Sequence, residues 1–194
     1  MKKWIALLLG ICMMFLCVGC GAEMRLEPAQ LTDEDRINPL LVQDGIIPGQ
    51  VYAYHTSDRL ESIRSVLYKL GIDGKWEVLG SSEGVAEAPD GRIMFFLPSL
   101  PADQFRVIVE NGDASYGFTL TENDDAAAGL PSAAQWQDPM DIAYEQEVPV
   151  VILSVTDGES SPHGIGFFGE PQGPKEDESV YAITVTFSEH PLGS

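Results

Sequence analysis

The sequence predicts an all-β domain, an antiparallel β-sandwich of the Ig-like or jelly-roll kind with two long loops. Three observations carry this. Apolar side chains recur with period two along several short segments. Gly, Pro, Asn and Asp separate those segments. No repeat of 20 to 50 residues points to a solenoid or propeller. A chain of 194 residues with 44% hydrophobic side chains is long and apolar enough to build one real core.

Taken in order, Gln50 to Thr56 alternates Tyr52 and Tyr54 with Val51 and Ala53, the pattern of a half-buried strand. Leu60, Ile63, Leu67 and Leu70 fall at helical spacing, and Gly71 stands where a helix cap would. Val66 to Leu70 also makes the first arm of a hairpin that turns at Asp73-Gly74 into Lys75 to Leu79. Strand is the expectation for residues 58–70, since that turn needs a partner; helix is the alternative. Arg92 to Leu97 and Val150 to Val155 are continuous apolar runs, expected of strands covered on both faces. Phe105, Val107 and Val109 share one face, Asn111-Gly112-Asp113 turns the chain, and Tyr116, Phe118 and Leu120 share the next. Tyr181, Ile183, Val185 and Phe187 complete the pattern, for seven or eight strands in all. Two connections exceed what a minimal sandwich needs: Glu122 to Pro139, carrying Trp136, and Asp157 to Glu178, carrying Phe167 and Phe168.

The first twenty residues follow another rule. Lys2 and Lys3 precede an almost unbroken apolar run from Trp4 to Val18, the charge-then-hydrophobe order of an export signal. The same run is long enough to span a bilayer as an uncleaved anchor. It ends in Cys17-Val18-Gly19-Cys20-Gly21, which resembles the lipobox of bacterial lipoproteins, with Cys17 standing where that family usually has Leu. The resemblance implies that residues 1–19 are a signal peptide and that Cys20 receives a diacylglycerol. It further implies a mature N-terminus at Cys20; from the residues themselves, a polar lipidated N-terminus and linker is expected over residues 20–36 and one β-sandwich domain over residues 37–194. The implied location is the extracytoplasmic face of the cell membrane, with the membrane itself a partner through the Cys20 lipid. The chain as a whole resembles small surface lipoproteins of Gram-positive bacteria.

On that reading Cys12 and Cys17 leave with the signal and Cys20 is consumed by lipid. The mature domain then has no disulfide, no thiolate nucleophile and no Cys-ligated zinc. The whole chain carries a formal charge of −19, and loss of Lys2 and Lys3 takes it to −21. Such a body is repelled by nucleic acid, whose phosphates demand clustered Lys and Arg. It is repelled by anionic membrane surfaces as well, so the lipid does the anchoring. It would attract cationic peptides, although acidity also serves simply to keep an exported protein soluble.

Catalytic motifs fail in context. Gly80-Ser81-Ser82-Glu83-Gly84 has the spacing of a nucleophile elbow, but that chemistry needs a helix after the turn, and Val85 to Gly91 cannot sustain one. A polar loop is expected there. Gly164-Ile165-Gly166-Phe167-Phe168-Gly169 has dinucleotide-site spacing, yet no strand leads directly into it and no helix follows. His55, His163 and His190 do not stand at metal-ligand spacing from one another. Glu122, Asp124 and Asp125 form the one acidic group suited to Ca²⁺, with a solvated loop as the plainer expectation. No cofactor is expected. The functional expectation is a lipid-anchored, non-enzymatic binding module. Trp136, Phe167 and Phe168 are its candidate contacts to a glycan or an envelope protein. The alternative is a hydrolase of envelope or dietary polysaccharide that works through a carboxylate pair.

Overall fold

A computed structural model describes residues 23–30, 49–97, 104–121, 132–156 and 161–192. Cys20, the export signal and the candidate calcium ligands Glu122, Asp124 and Asp125 lie outside the described residues.

The protein is an all-β sandwich of two antiparallel sheets. Its strands, in chain order, are β1 (Arg25–Ala29), β2 (Gln50–His55), β3 (Ser62–Leu70), β4 (Trp76–Val85), β5 (Asp90–Phe96) and β6 (Gln104–Asn111). They continue with β7 (Ala114–Thr121), β8 (Ser132–Trp136), β9 (Met140–Asp141), β10 (Glu147–Thr156) and β11 (Glu178–Ser188). The six-stranded sheet runs β7-β6-β5-β2-β1-β9 and the five-stranded sheet runs β4-β3-β11-β10-β8.

The period-two faces become the core. Tyr52, Ile93, Phe95, Phe105 and Val107 from one sheet meet Ile63, Leu67, Ile183 and Phe187 from the other, and every one of them is at most 1% exposed. Residues 58–70 resolve as strand from Ser62 onward, and the helical spacing there has a simple origin. Leu60, Ile63 and Leu67 enter the main core, whereas Leu70 packs on the opposite, outer face of the sheet. Two faces of one strand imitate a single helical stripe.

The continuous apolar runs are indeed covered on both sides. In β5, Ile93 and Phe95 face the main core, while Met94 and Phe96 join Val51 and Ile108 on the outer face. In β10 the register shifts between Pro149 and Val151, so Val150 is an extra residue opposite β11. That bulge lets Val148, Val150 and Val151 all reach the main core, which strict alternation would forbid.

Three expectations are corrected. The linker ascribed to residues 20–36 contains a true strand: β1 pairs with β2 along its whole length and with β9 at its start. Leu26, fully buried, supplies the reason. Second, the described residues hold eleven strands rather than seven or eight, because β1, β8 and β9 are too short or too polar to announce themselves. Third, Gly80 to Gly84 is strand within β4, not a polar loop.

The third correction explains the motif. Gly80 and Gly84 are four apart on a strand and so share a face, as do Leu120 and Tyr116 on β7. A Cβ at Gly84 would sit 2.2 Å from the Tyr116 ring, and one at Gly80 would sit 3.4 Å from Leu120 Cδ1. The glycines make room for β7 where the two sheet edges close on each other. Ser82 lies between them, paired in register with Ser65, on extended backbone and not on a strained turn.

Candidate functional site

The three aromatic contacts expected from sequence do not form one surface. Trp136 was expected in a loop; it belongs to β8, because its register opposite Val151 extends the five-stranded sheet. Its ring packs on Phe95, with centroids 6.2 Å apart, and leans on Gly49. Trp136 is part of the core margin. Phe167 and Phe168 lie elsewhere, in a short 3-10 turn, Ile165–Phe168, that straps the outer face of the five-stranded sheet.

The strap exists because that outer face is apolar at one end. Leu70, Ile152, Val180 and Ala182 would otherwise meet water, and Ile165, Phe167 and Phe168 close over them together with Tyr68 and Trp76. Trp76 and Phe168 stack at 5.3 Å, and the Trp76 indole N–H donates to the Phe168 carbonyl at 3.0 Å. Tyr68 meets Phe168 edge-on at 5.5 Å and Trp76 at 6.4 Å. At the strap's outer end His163 stacks on Phe167 at 4.1 Å, and its Nε2 lies 3.0 Å from Glu178 Oε1. Glu178 is only 8% exposed at its side chain and also accepts the Lys175 amide, so the strap is fastened at both ends.

Beside the strap the same face turns polar. Register places Val78 next to Tyr68 across β4 and β3, and Val66 next to Thr184 across β3 and β11. Val78 is 58% exposed. The Tyr68 hydroxyl donates to Glu147 Oε1 at 2.8 Å, and the Thr184 hydroxyl donates to the same oxygen at 2.7 Å. Burial, then the hydrogen bond to Glu147 and its negative charge, push the Tyr68 phenol up to about 12, against a smaller downward pull from Arg64. Tyr68 therefore stays a neutral donor at any physiological pH. Glu147 is exposed, and its Oε2 has no partner among the described residues. Half-exposed aromatics thus adjoin a carboxylate oriented by two hydroxyls, with exposed Arg64 on the same strand face as Tyr68.

A second concavity, of about 380 Å³, opens on the outer face of the six-stranded sheet between β1, β2 and β5. Arg25 pairs there with Glu27 at 3.1 Å and His55 Nδ1 with Asp90 Oδ1, and Glu23 lines the concavity beside them. It is lined by no serine, threonine or cysteine that the His55–Asp90 pair could activate. No group of three or more metal-ligating side chains gathers among the described residues.

Sequence reasoning found Phe167 and Phe168, and saw in Trp76 an aromatic able to stack on a sugar but read it as a hairpin residue. It did not place Tyr68 or Glu147 beside them. One signal was present: Tyr68 and Leu70 alternate with Leu67 and Lys69, so β3 has apolar residues on both faces and its outer face needs a cover. Glu147 joins them only through the β10–β11–β3 pairing, which no local pattern encodes. No protein-family model, curated protein or solved structure matches the chain.

Proposed function

We propose that the protein is a lipid-anchored extracytoplasmic binding module that recognises its ligand on the outer face of the β4-β3-β11-β10-β8 sheet. The carrying observation is the adjoining of Tyr68, Trp76 and Phe168 to the oriented carboxylate of Glu147. Side chains that are half apolar and half hydrogen-bonding give contact area and direction together.

On that reading, topology sets where the site would stand relative to the anchor. Arg25 opens β1 five residues after Cys20, a tether of at most about 18 Å. Arg25 pairs with His55 at the end of β2, and β3 starts a few residues later and runs back the other way. Tyr68 stands six residues along β3, about 20 Å from that end. A lipid on Cys20 would hold one pole of the sandwich at the membrane and leave the aromatic face toward the opposite pole.

Co-sedimentation of the full chain with purified cell-envelope fragments tests the face. Val78→Arg changes an exposed side chain beside Tyr68 and leaves the fold alone. The expected outcome is a loss of binding of about tenfold, since an interface residue of this kind commonly carries more than 1 kcal/mol. Equal sedimentation of the wild-type and Val78→Arg chains would overturn the reading.

A further inference from the structure

The ligand class can be read from the polar half of the same face, and this step rests on the binding reading above. The geometry points to a neutral saccharide, seated with a sugar ring against Tyr68, Val78 and Trp76 and with ring hydroxyls donated to Glu147 Oε2.

The reasoning is one of hydrogen-bond and charge complementarity. Glu147 Oε1 already accepts two hydroxyls, at 2.7 and 2.8 Å, which fixes the plane of the carboxylate and leaves Oε2 as an oriented acceptor. An ionised acceptor makes its strongest bonds to donors such as hydroxyls or cations. Arg64 decides between those two. It is exposed on the same face of β3, in one row with Thr186 and Glu147 on one side and Glu83 on the other, so donors and acceptors alternate across the face. A cationic ligand on Glu147 would meet like charge there, whereas a saccharide hydroxyl can donate to the carboxylate and a neighbouring hydroxyl can accept from the guanidinium. The apolar strip of Val78, Tyr68 and Trp76 runs alongside and matches the C–H face of a pyranose. A surface holding an acceptor, a donor and an aromatic strip suits a molecule whose every unit has hydroxyls that both donate and accept.

The experiment is calorimetric titration of the full chain in detergent with tetramers of glucose, xylose, mannose and N-acetylglucosamine, and with octalysine. Glu147→Gln is the decisive variant. Its amide oxygen still accepts from Tyr68 and Thr184, so the fold is kept, but its N–H₂ puts donors where Oε2 was an acceptor. Binding of at least one tetrasaccharide, weakened about tenfold by Glu147→Gln with an unchanged melting temperature, is the expected result. Saccharide binding that neither Glu147→Gln nor Val78→Arg alters would overturn both the ligand class at this site and the face itself. Octalysine binding without any saccharide binding, if sensitive to Glu147→Gln, overturns the saccharide and keeps the face. Silence from every probe overturns the saccharide too. Envelope sedimentation of Val78→Arg then decides separately whether the face survives.

Discussion

Tyr52, Tyr54 and Tyr116 bring three phenols into or against the core, and each is handled differently. Tyr52 donates to the Gln137 carbonyl at 2.5 Å. Tyr54 accepts from Asn111 Nδ2 at 2.6 Å, and that asparagine, wholly buried, also accepts the Glu87 and Ala88 amides and donates to the Ala88 carbonyl. Asn111 thus uses both ends of its amide to fix the corner between β4 and β5. The Tyr116 hydroxyl is buried with no partner among the described residues. Burial pushes Tyr52 and Tyr54 up to about 12 and Tyr116 further in the same direction. The folded values lie above the unfolded one, so this stability is fully present below about pH 10 and is lost as pH rises to about 12. Denaturant unfolding at stepped pH should show a plateau to about pH 9. A fall of up to about 3 kcal/mol for each of Tyr52 and Tyr54 should follow. Tyr54→Phe should remove its share of that fall, and a titration of tyrosinate absorbance that is complete near pH 10 in the folded protein would contradict it.

At the scale of elements, the strap Ile165–Phe168 is a cover built for one end of one sheet. Its apolar side chains, not its backbone, hold it, because a single 3-10 turn has little stability alone. Phe168→Ala removes the ring that stacks on Trp76 and meets Tyr68, and should cost about 2 kcal/mol, less than a fully buried phenylalanine would. Amide exchange of Phe167 and Gly169, which bond within the turn, should quicken while the β2–β5 ladder stays protected. Unchanged exchange at the strap would mean that something other than Phe168 holds it. The same scale explains what the sequence made legible. β6, β7 and β11 were legible because Phe105, Val107 and Val109, then Tyr116, Phe118 and Leu120, then Tyr181, Ile183, Val185 and Phe187 recur with the period of the core face they enter. β8, with Ala133, Ala134 and Gln135, has no such contrast and becomes a strand only because β10 offers it an edge. Phe167 and Phe168 stood out as apolar residues between Gly and Pro, but their partner Trp76 reads locally as one more hairpin residue.

For the whole molecule, β1 closes one side of the core and, on the proposed lipid anchor, would set how close the sheet stands to Cys20. Leu26 is fully buried and stands in register with Tyr54 on one side and Met140 on the other, and the Met24 carbonyl accepts the Ile142 amide. Removing β1 would uncover the edge of β2, strip β9 of its partner and open the core beneath Tyr52 and Tyr54. A chain starting at residue 31 should therefore be destabilised by more than about 4 kcal/mol relative to one starting at residue 21, a large part of the 5–15 kcal/mol that holds a domain together. Urea unfolding of the two chains, followed by circular dichroism, measures the difference. Equal midpoints would make residues 21–30 the tail that their polar composition suggests. A loss as large as expected would instead leave no flexible spacer between Cys20 and the sheet. If the chain is lipidated as proposed, its charge of −21 would repel an anionic leaflet and a short tether would stand the sandwich upright on its β1 pole. The Trp76–Phe168 end of the face would then be held away from the surface by electrostatics as well as by topology, while Glu147, in the row of Thr186 and Arg64, stands nearer the tethered pole.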